Sequence, residues 1–182
     1  IAANFAEAGL PFADASLIGG PPGPGSAGPR LYMSGDVADT AARLAALGLD
    51  ARDLSRTVGD ASALKMAYAG ITKGFQAIGA AMALGAYRNG VGDSLVEELA
   101  QSQPHLYAFL ARQLPKMYAK AYRFDGEMRE IAAFLQPEEG ASQMFAGAAG
   151  LYARIAEAHR AGAQSEIVTT LDAFAESGRV DT

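Results

Sequence analysis

The longest regular signal in the chain lies at residues 61–87, ASALKMAYAGITKGFQAIGAAMALGAY. Large apolar residues fall at Leu64, Tyr68, Ile71, Phe75, Ile78 and Met82, in unbroken steps of four and three. That is the period of an α-helix, sustained for about seven turns. One position back runs a stripe of small residues, Ala63, Ala67, Gly70, Gly74, Ala77 and Ala81. Glycine costs a helix interior roughly 1 kcal/mol against alanine, so two on one stripe predict close backbone packing against a neighbour. A third stripe, Lys65, Ala69, Thr72 and Gln76, is polar at three of four positions. The pattern predicts a helix buried over most of its circumference, with a lysine on one polar strip. A buried amine loses hydration, its pKa falls, and it becomes a proton donor and acceptor near neutral pH. The alternative is a partly exposed lysine that reaches water along its own stem.

Around that helix the chain reads in order. Residues 1–9 form the end of a helix, stopped by Gly9 with Pro11 behind it. FADASLI (12–18) and RLYMS (30–34) are strand candidates, joined by the loop GGPPGPGSAGP at 19–29. Asp36 is placed to N-cap a helix in VADTAARLAALGL, and 50–58 form a polar connection with room for another edge strand. Asn89-Gly90 supplies a stop for the long helix, and Ser94 with Glu97 reads as a capping box. Pro104 opens a further helix, and Pro115 is expected to separate it from KMYAKAYRF. Helices are expected at about 126–135, 143–159 and 165–175. The expected fold class is mainly α, with a fragment of an α/β layer in the first sixty residues.

Composition narrows the function classes. The 182 residues are 50% hydrophobic and carry a formal net charge of −5, which argues against a nucleic-acid or anionic-membrane surface. No cysteine is present, so disulfides, thiolate metal sites and cysteine nucleophiles are excluded. His105 and His159 are far apart and read as structural, so no metal site is expected. No secretory signal or apolar run of spanning length occurs, and the reading is a soluble cytoplasmic protein. The chain opens on Ile1 directly in a helical pattern, which suggests a start partway through a fold. Arg123, Asp125, Glu127, Arg129 and Glu130 mix signs at helical spacing and read as a solvated face with local ion pairs.

Two further features invite chemistry. The loop at 19–25 is glycine-rich, but Pro21, Pro22 and Pro24 remove donors and a strand follows, so it is no phosphate cradle. Gly19-Gly20 marks a place where backbone passes close to something, either ligand or neighbouring structure. Lys73 lies two turns beyond Lys65 and about 80° round the helix, so both reach toward one cleft unless Lys73 is simply solvated.

Together, FADASLIGG, RLYMSGD and GDASALKMAYAGITKG resemble the β-hydroxyacid dehydrogenase family, related to 6-phosphogluconate dehydrogenase. SQPHLYAFLARQLPKMYAKAYRF and GEMREIAAFL look like the helical domain of a less characterised branch of NAD(P)-dependent oxidoreductases. In that family a Rossmann domain is followed by a long interdomain helix and an all-helical domain. The resemblance implies that 1–58 are the C-terminal remnant of a Rossmann-type domain and 59–182 an all-helical substrate and dimerisation domain. Asp14 to Gly20 fits the family's D-A-x-x-x-G-G substrate motif, with Ile18 where a serine usually stands. It implies Lys65 as the catalytic proton relay and Ser16, Gly19 and Gly20 as substrate contacts. The family's asparagine one turn after the lysine is absent, and Tyr68, Thr72 and Lys73 are the replacement substrate contacts. Glu127, where members often carry Lys-Asp, is the implied cofactor contact. The cofactor is NAD or NADP, and the partners are a small-molecule substrate and a second copy of the chain.

Two function classes remain open from sequence. One is an oxidoreductase represented by its C-terminal portion. The other is a non-catalytic helical dimerisation or interaction module, against which stands a strand-loop-strand with no partner sheet of its own.

Overall fold

The computed structural model describes residues 1–26 and 28–177. They form two compact units, 1–68 and 69–182 by chain position. The first unit begins with α1 (Ala2–Glu7), closed by Gly9 at φ +66°. Three strands follow, β1 (Asp14–Ile18), β2 (Arg30–Ser34) and β3 (Ala51–Ser55), with α2 (Ala38–Ala46) between the last two. They build a sheet in the order β1-β2-β3, antiparallel across the first pair and parallel across the second. The edge strand for which 50–58 left room is therefore real and gives the hairpin its partner. Alternation along β1 buries Ser16 and Ile18 and leaves Ala15 and Leu17 outward. Met33, Val37 and Ala41 form a small core, with Leu31 and Leu44 packed against it.

Two local expectations fail in this unit. The first strand begins at Asp14, two residues later than the pattern suggested. Asp36 caps nothing: α2 starts after Val37 without a side-chain cap, and the Asp36 carboxylate pairs with Arg56 at 2.7 Å instead.

The long helix α3 runs Asp60–Arg88, one residue beyond the predicted span at each end. Asn89-Gly90 stops it as expected, with Gly90 at φ +73°. In the second unit follow α4 (Gly92–Ser102), α5 (Pro104–Met117), a 3₁₀ turn at Tyr118–Lys120, α6 (Ala121–Phe134), α7 (Glu139–Ala161) and α8 (Glu166–Glu176). Ser94 is not a cap. The cap position is Val91, three residues earlier, without a side-chain cap, and Gly92 lies against the Tyr87 ring, where an added Cβ would come within 2.5 Å. Pro115 does not break its helix either. It lies within α5, between the buried Leu114 and Met117, and the chain leaves the α-helix only two residues later. α6 consequently begins at Ala121 rather than near 126, and α7 extends from 139 to 161.

The core of the second unit is made by Leu114, Met117, Met128, Ile131, Tyr152, Ile155, Leu171 and Phe174, all essentially inaccessible. Buried phenols are tied off internally: Tyr107 donates to the Phe174 carbonyl at 2.9 Å and Tyr118 to Asp172 at 2.9 Å. The expected close approach along the small stripe of α3 is present. A Cβ at Gly70 would meet Ile131 and Phe145 at 3.5 Å, and one at Gly74 would meet Phe145 at 3.3 Å. One further glycine, Gly79, leaves room for Leu110, which would stand 2.4 Å from an added Cβ.

Burial of α3 on most of its circumference is not found. The small residues Ala69, Gly70, Gly74, Ala77 and Ala80 are buried, whereas Tyr68, Ile71, Phe75, Ile78 and Met82 lie exposed. Periodicity locates a stripe but does not say which side a neighbour takes, and here the neighbours take the side that allows closest approach. The histidines also differ from expectation, since both are exposed, His159 lying 6.1 Å from the Tyr118 ring. Among the described residues no helix is long and apolar enough to cross a membrane.

Leu171 is fully enclosed, so Leu171→Ala removes buried methyl groups and leaves a cavity. The expected loss of stability is about 2–5 kcal/mol, read as a lower midpoint in urea unfolding.

Candidate functional site

In the first unit the three strands end on the first turn of α3. Free N–H groups at a helix start need acceptors, and here they come from residues far away in sequence. Asp14, opening β1, accepts from the Ser62 N–H at 2.8 Å and from the Ser62 hydroxyl at 2.6 Å. Ser34, closing β2 and opposite Asp14 in the register, is completely buried. Its hydroxyl accepts from the Ala61 N–H at 3.1 Å and donates to Asp14 at 3.3 Å. Ser55, closing β3, donates to the Asp60 carboxylate at 2.6 Å. Burial pushes the Asp14 carboxyl upward, but the hydrogen bonds from Ser62 and Ser34 outweigh it and hold the group below its ordinary range. A carboxylate at a helix N-terminus also meets the favourable end of the macrodipole.

This lock fixes the segment that carries Lys65. Lys65 follows Asp60 by five residues, is exposed, and makes no hydrogen bond or ion pair among the described residues. It is therefore an amine open to solvent rather than one enclosed by the helix's neighbours. Ser16 is buried in β1, on the same side of the strand as Asp14 and Ile18. Gly19, just past β1, has φ +132°, and a Cβ there would stand 3.0 Å from the Pro29 Cα. Its need for glycine is thus explained inside the loop itself. Gly20 is exposed, with nothing within 4 Å of an added Cβ. Tyr68 is half-exposed.

In the second unit the structure brings together two residues that the sequence had assigned to different roles. The Lys73 ammonium makes an ion pair with the Glu127 carboxylate of α6. It lies 4.6 Å from the centre of the Phe124 ring, a cation–π distance. Both side chains are mostly buried, so Lys73 is not the solvated surface residue that was its default reading. Glu127 leaves the solvated face of α6, where Arg129 and Asp125 do form the expected pair at 2.8 Å. Tyr152 donates to the backbone carbonyl of Lys73 at 2.7 Å and packs edge-on to Phe124 at 5.2 Å. Burial raises the Tyr152 phenol above its ordinary range, so it stays a hydrogen-bond donor. Thr72 turns its hydroxyl to the Ala69 carbonyl at 3.5 Å.

The described residues do not by themselves make a dinucleotide cradle. The loop after β1 lacks N–H donors at four prolines, Pro21, Pro22, Pro24 and Pro29. Gly23, Gly25 and Gly28 do stand at G-x-G-x-x-G spacing, but β2 follows them where the fingerprint requires a helix. Among the described residues no group of three or more His, Asp or Glu is placed to hold a metal ion. Sequence reasoning gave Asp14 and Ser34 no capping role. Their function is a cap built across 48 and 27 positions, and capping signals are legible only when the partners are neighbours.

Asp14→Ala is expected to cost about 1 kcal/mol at neutral pH, as loss of a cap does. Because the folded carboxyl lies below its unfolded value, its contribution is present above the ordinary aspartate pKa of about 3.9. It fades as pH falls through the folded value, so the unfolding midpoints of the wild type and the Asp14→Ala variant should converge in acid. For the second unit, Glu127→Gln leaves the enclosed Lys73 charge without its counter-ion. It should destabilise more than the double change Lys73→Met with Glu127→Leu, by about 1–3 kcal/mol, in parallel denaturant titrations.

Residues 86–155 match the model of a domain of unknown function, DUF1932. The conserved protein MTH1747, described as having structural similarity with 3-hydroxyacid dehydrogenases, is 25% identical with a TM-score of 0.65. That match covers 82% of this chain and 57% of the other. A conserved hypothetical protein from Sinorhizobium meliloti 1021 is 23% identical with a TM-score of 0.66, over 90% of this chain and 57% of that one. No curated protein matches the sequence. The chain thus spans little more than half the length of either solved relative. Its fold is mainly α with a small three-stranded sheet, as expected. The chain thus matches a domain of unknown function, DUF1932, over residues 86–155, and shares its fold with a solved protein described as having structural similarity with 3-hydroxyacid dehydrogenases.

Proposed function

We propose that this chain is the C-terminal portion of an NAD(P)-dependent oxidoreductase of the β-hydroxyacid dehydrogenase type, with Lys65 as its proton relay. Residues 1–58 are read as the end of a Rossmann-type domain and 59–182 as the substrate and dimerisation domain. The observation that carries the proposal is the anchoring of the Lys65 segment. Asp14 opens the D-A-x-x-x-G-G strand and holds the first turn of α3 through Ser62, which puts that motif and the start of the lysine's helix in one arrangement. The fold shared with a relative described as similar to 3-hydroxyacid dehydrogenases supports the same class.

In this reading a nicotinamide, held mainly by parts of the enzyme outside this chain, would supply hydride exchange with a hydroxyacid-like substrate. The chain's own contribution is to the proton. As the carbinol is oxidised, its hydroxyl proton passes to Lys65, and in reduction Lys65 returns it. Gly20, exposed and with nothing within 4 Å of an added Cβ, leaves space for a substrate group to approach backbone. Ser16, Gly19, Tyr68, Thr72 and Lys73 are carried as substrate-side residues and Glu127 as the cofactor-side one. Of these, Lys73 and Glu127 act as a pair. The enzyme is read as a homodimer associating through its helical part.

Lys65→Ala in the complete enzyme should lower turnover by about 10²–10⁴, the usual contribution of general acid–base catalysis, with nucleotide affinity nearly unchanged. A rate equal to wild type under saturating substrate removes Lys65 from the mechanism.

A further inference from the structure

We infer that the second unit binds a small amphipathic carboxylate, its head between Arg88 and Arg154 and its aliphatic tail along α3 and α7. Arg88 is the last residue of α3, whereas Lys65 lies near that helix's start, so the site is separate from the chemistry proposed above. The inference does not rest on the dehydrogenase reading.

The tail site is an apolar trough. Gly74, Ala77 and Ala81 of α3, with Gly147 and Ala148 of α7, line a hollow of about 220 Å³. It shares Gly74 and Ile78 with a second hollow of about 330 Å³ that reaches Gly70. Among the described residues no charged group lines either one. From Gly74 to Ala81 the small residues follow α3 for about 10 Å, a shape that suits an extended chain. Small residues from both helices keep the trough open, and its walls offer an aliphatic chain no polar competitor.

The head site adjoins it. A third hollow, of about 550 Å³, shares Ala81 and Leu151 with the first, so the trough runs on into it. Here the lining turns polar, with Arg88 from the end of α3, Arg154 from α7, and Glu166 and Thr170 from α8. Among the described residues neither arginine makes a hydrogen bond or an ion pair, with Glu166 or any other group. Two uncompensated guanidiniums from separate helices on one hollow favour an anion there. The first turn of α8 reaches the same hollow at Glu166 and Ile167, and Ser165 before it makes no cap bond. Its first N–H groups are therefore left without a side-chain acceptor at the positive end of the helix dipole.

Charge and continuity select the ligand. Two arginines and one glutamate give the described lining a net charge of about +1, which one carboxylate balances. A phosphate group, at about −1.5 to −2 near neutral pH, would overshoot it. The guanidinium fork also matches a carboxylate with two parallel hydrogen bonds. A bare inorganic anion would leave the adjoining apolar trough unfilled, whereas an aliphatic tail fills it.

Calorimetric titration of the natural full-length protein with hexanoate, octanoate and decanoate, each below its micelle concentration, tests the site. Saturable binding of one molecule per chain is expected, tightening about fourfold with each added methylene. Arg88 and Arg154 are both exposed, so Arg88→Gln and Arg154→Gln should leave helical circular dichroism unchanged. Each should weaken octanoate binding about tenfold or more, while the weaker binding of octanol stays as it is. Lys65→Ala should leave octanoate binding unaltered. Affinity independent of chain length reduces the site to an anion patch and overturns the inference. Binding lost in Lys65→Ala but kept in both arginine variants places the carboxylate at the proposed active site and also overturns it. So does the absence of saturable binding of any free carboxylate, whether the trough then takes up anionic vesicles or a second copy of the chain. None of these readouts uses turnover, so failure of this site and failure of the dehydrogenase reading are told apart.

Discussion

Close approach of neighbouring side chains to the backbone along one side of α3 is the constraint on which the helical unit depends. Gly70, Gly74 and Gly79 each weaken the isolated helix by roughly 1 kcal/mol against alanine. In return Phe145, Ile131 and Leu110 pack directly on the helix backbone. Burying one such side chain contributes about 1.5–3 kcal/mol, which more than offsets the propensity lost. Once α3 is gripped on its small side, its large side chains have nowhere to go but outward. The exposed face is thus a consequence of the same packing choice that closes the core. Lys73 belongs to this grip as well: its charge meets Glu127 of α6, while Tyr152 of α7 holds its carbonyl.

The start of α3 obeys a different rule. No residue adjacent to it caps the helix locally in the manner of a serine box. Asp14, Ser34 and Ser55 instead bring polar groups from the ends of three strands to residues 60–62. A single helix turn is thereby made dependent on sheet register: a slip of β1 by one residue would remove Asp14 from Ser62 and from Ser34 together. That coupling fixes the first turn of the helix that carries Lys65.

How much was legible in the sequence follows from these two rules. Strand β2 and the extent of α3 could be read because their signals are local, a short β-rich run between glycines in one case and an unbroken 3.6 period in the other. The tight approach at Gly70 and Gly74 was readable because glycine inside a long helix needs a reason. What could not be read was the side on which neighbours pack, since a stripe of large residues and a stripe of small ones both make acceptable buried faces. The Asp36 and Ser94 caps failed for a related reason. Each has the right residue type, but the helices begin after Val37 and Val91, and Asp36 pairs with Arg56 instead. Among candidate site residues, Lys73 and Glu127 lie 54 positions apart, and no spacing rule links them. Asp14 was recognised as part of a motif but not as the anchor of the helix that carries the lysine.

The central claim is that this chain completes a nicotinamide-dependent enzyme. Calorimetric titration of the natural full-length protein with NADH and with NADPH tests it most directly. The account predicts saturable, one-to-one binding of one nucleotide in preference to the other. Failure to bind either would contradict it and leave a helical association module built around α3.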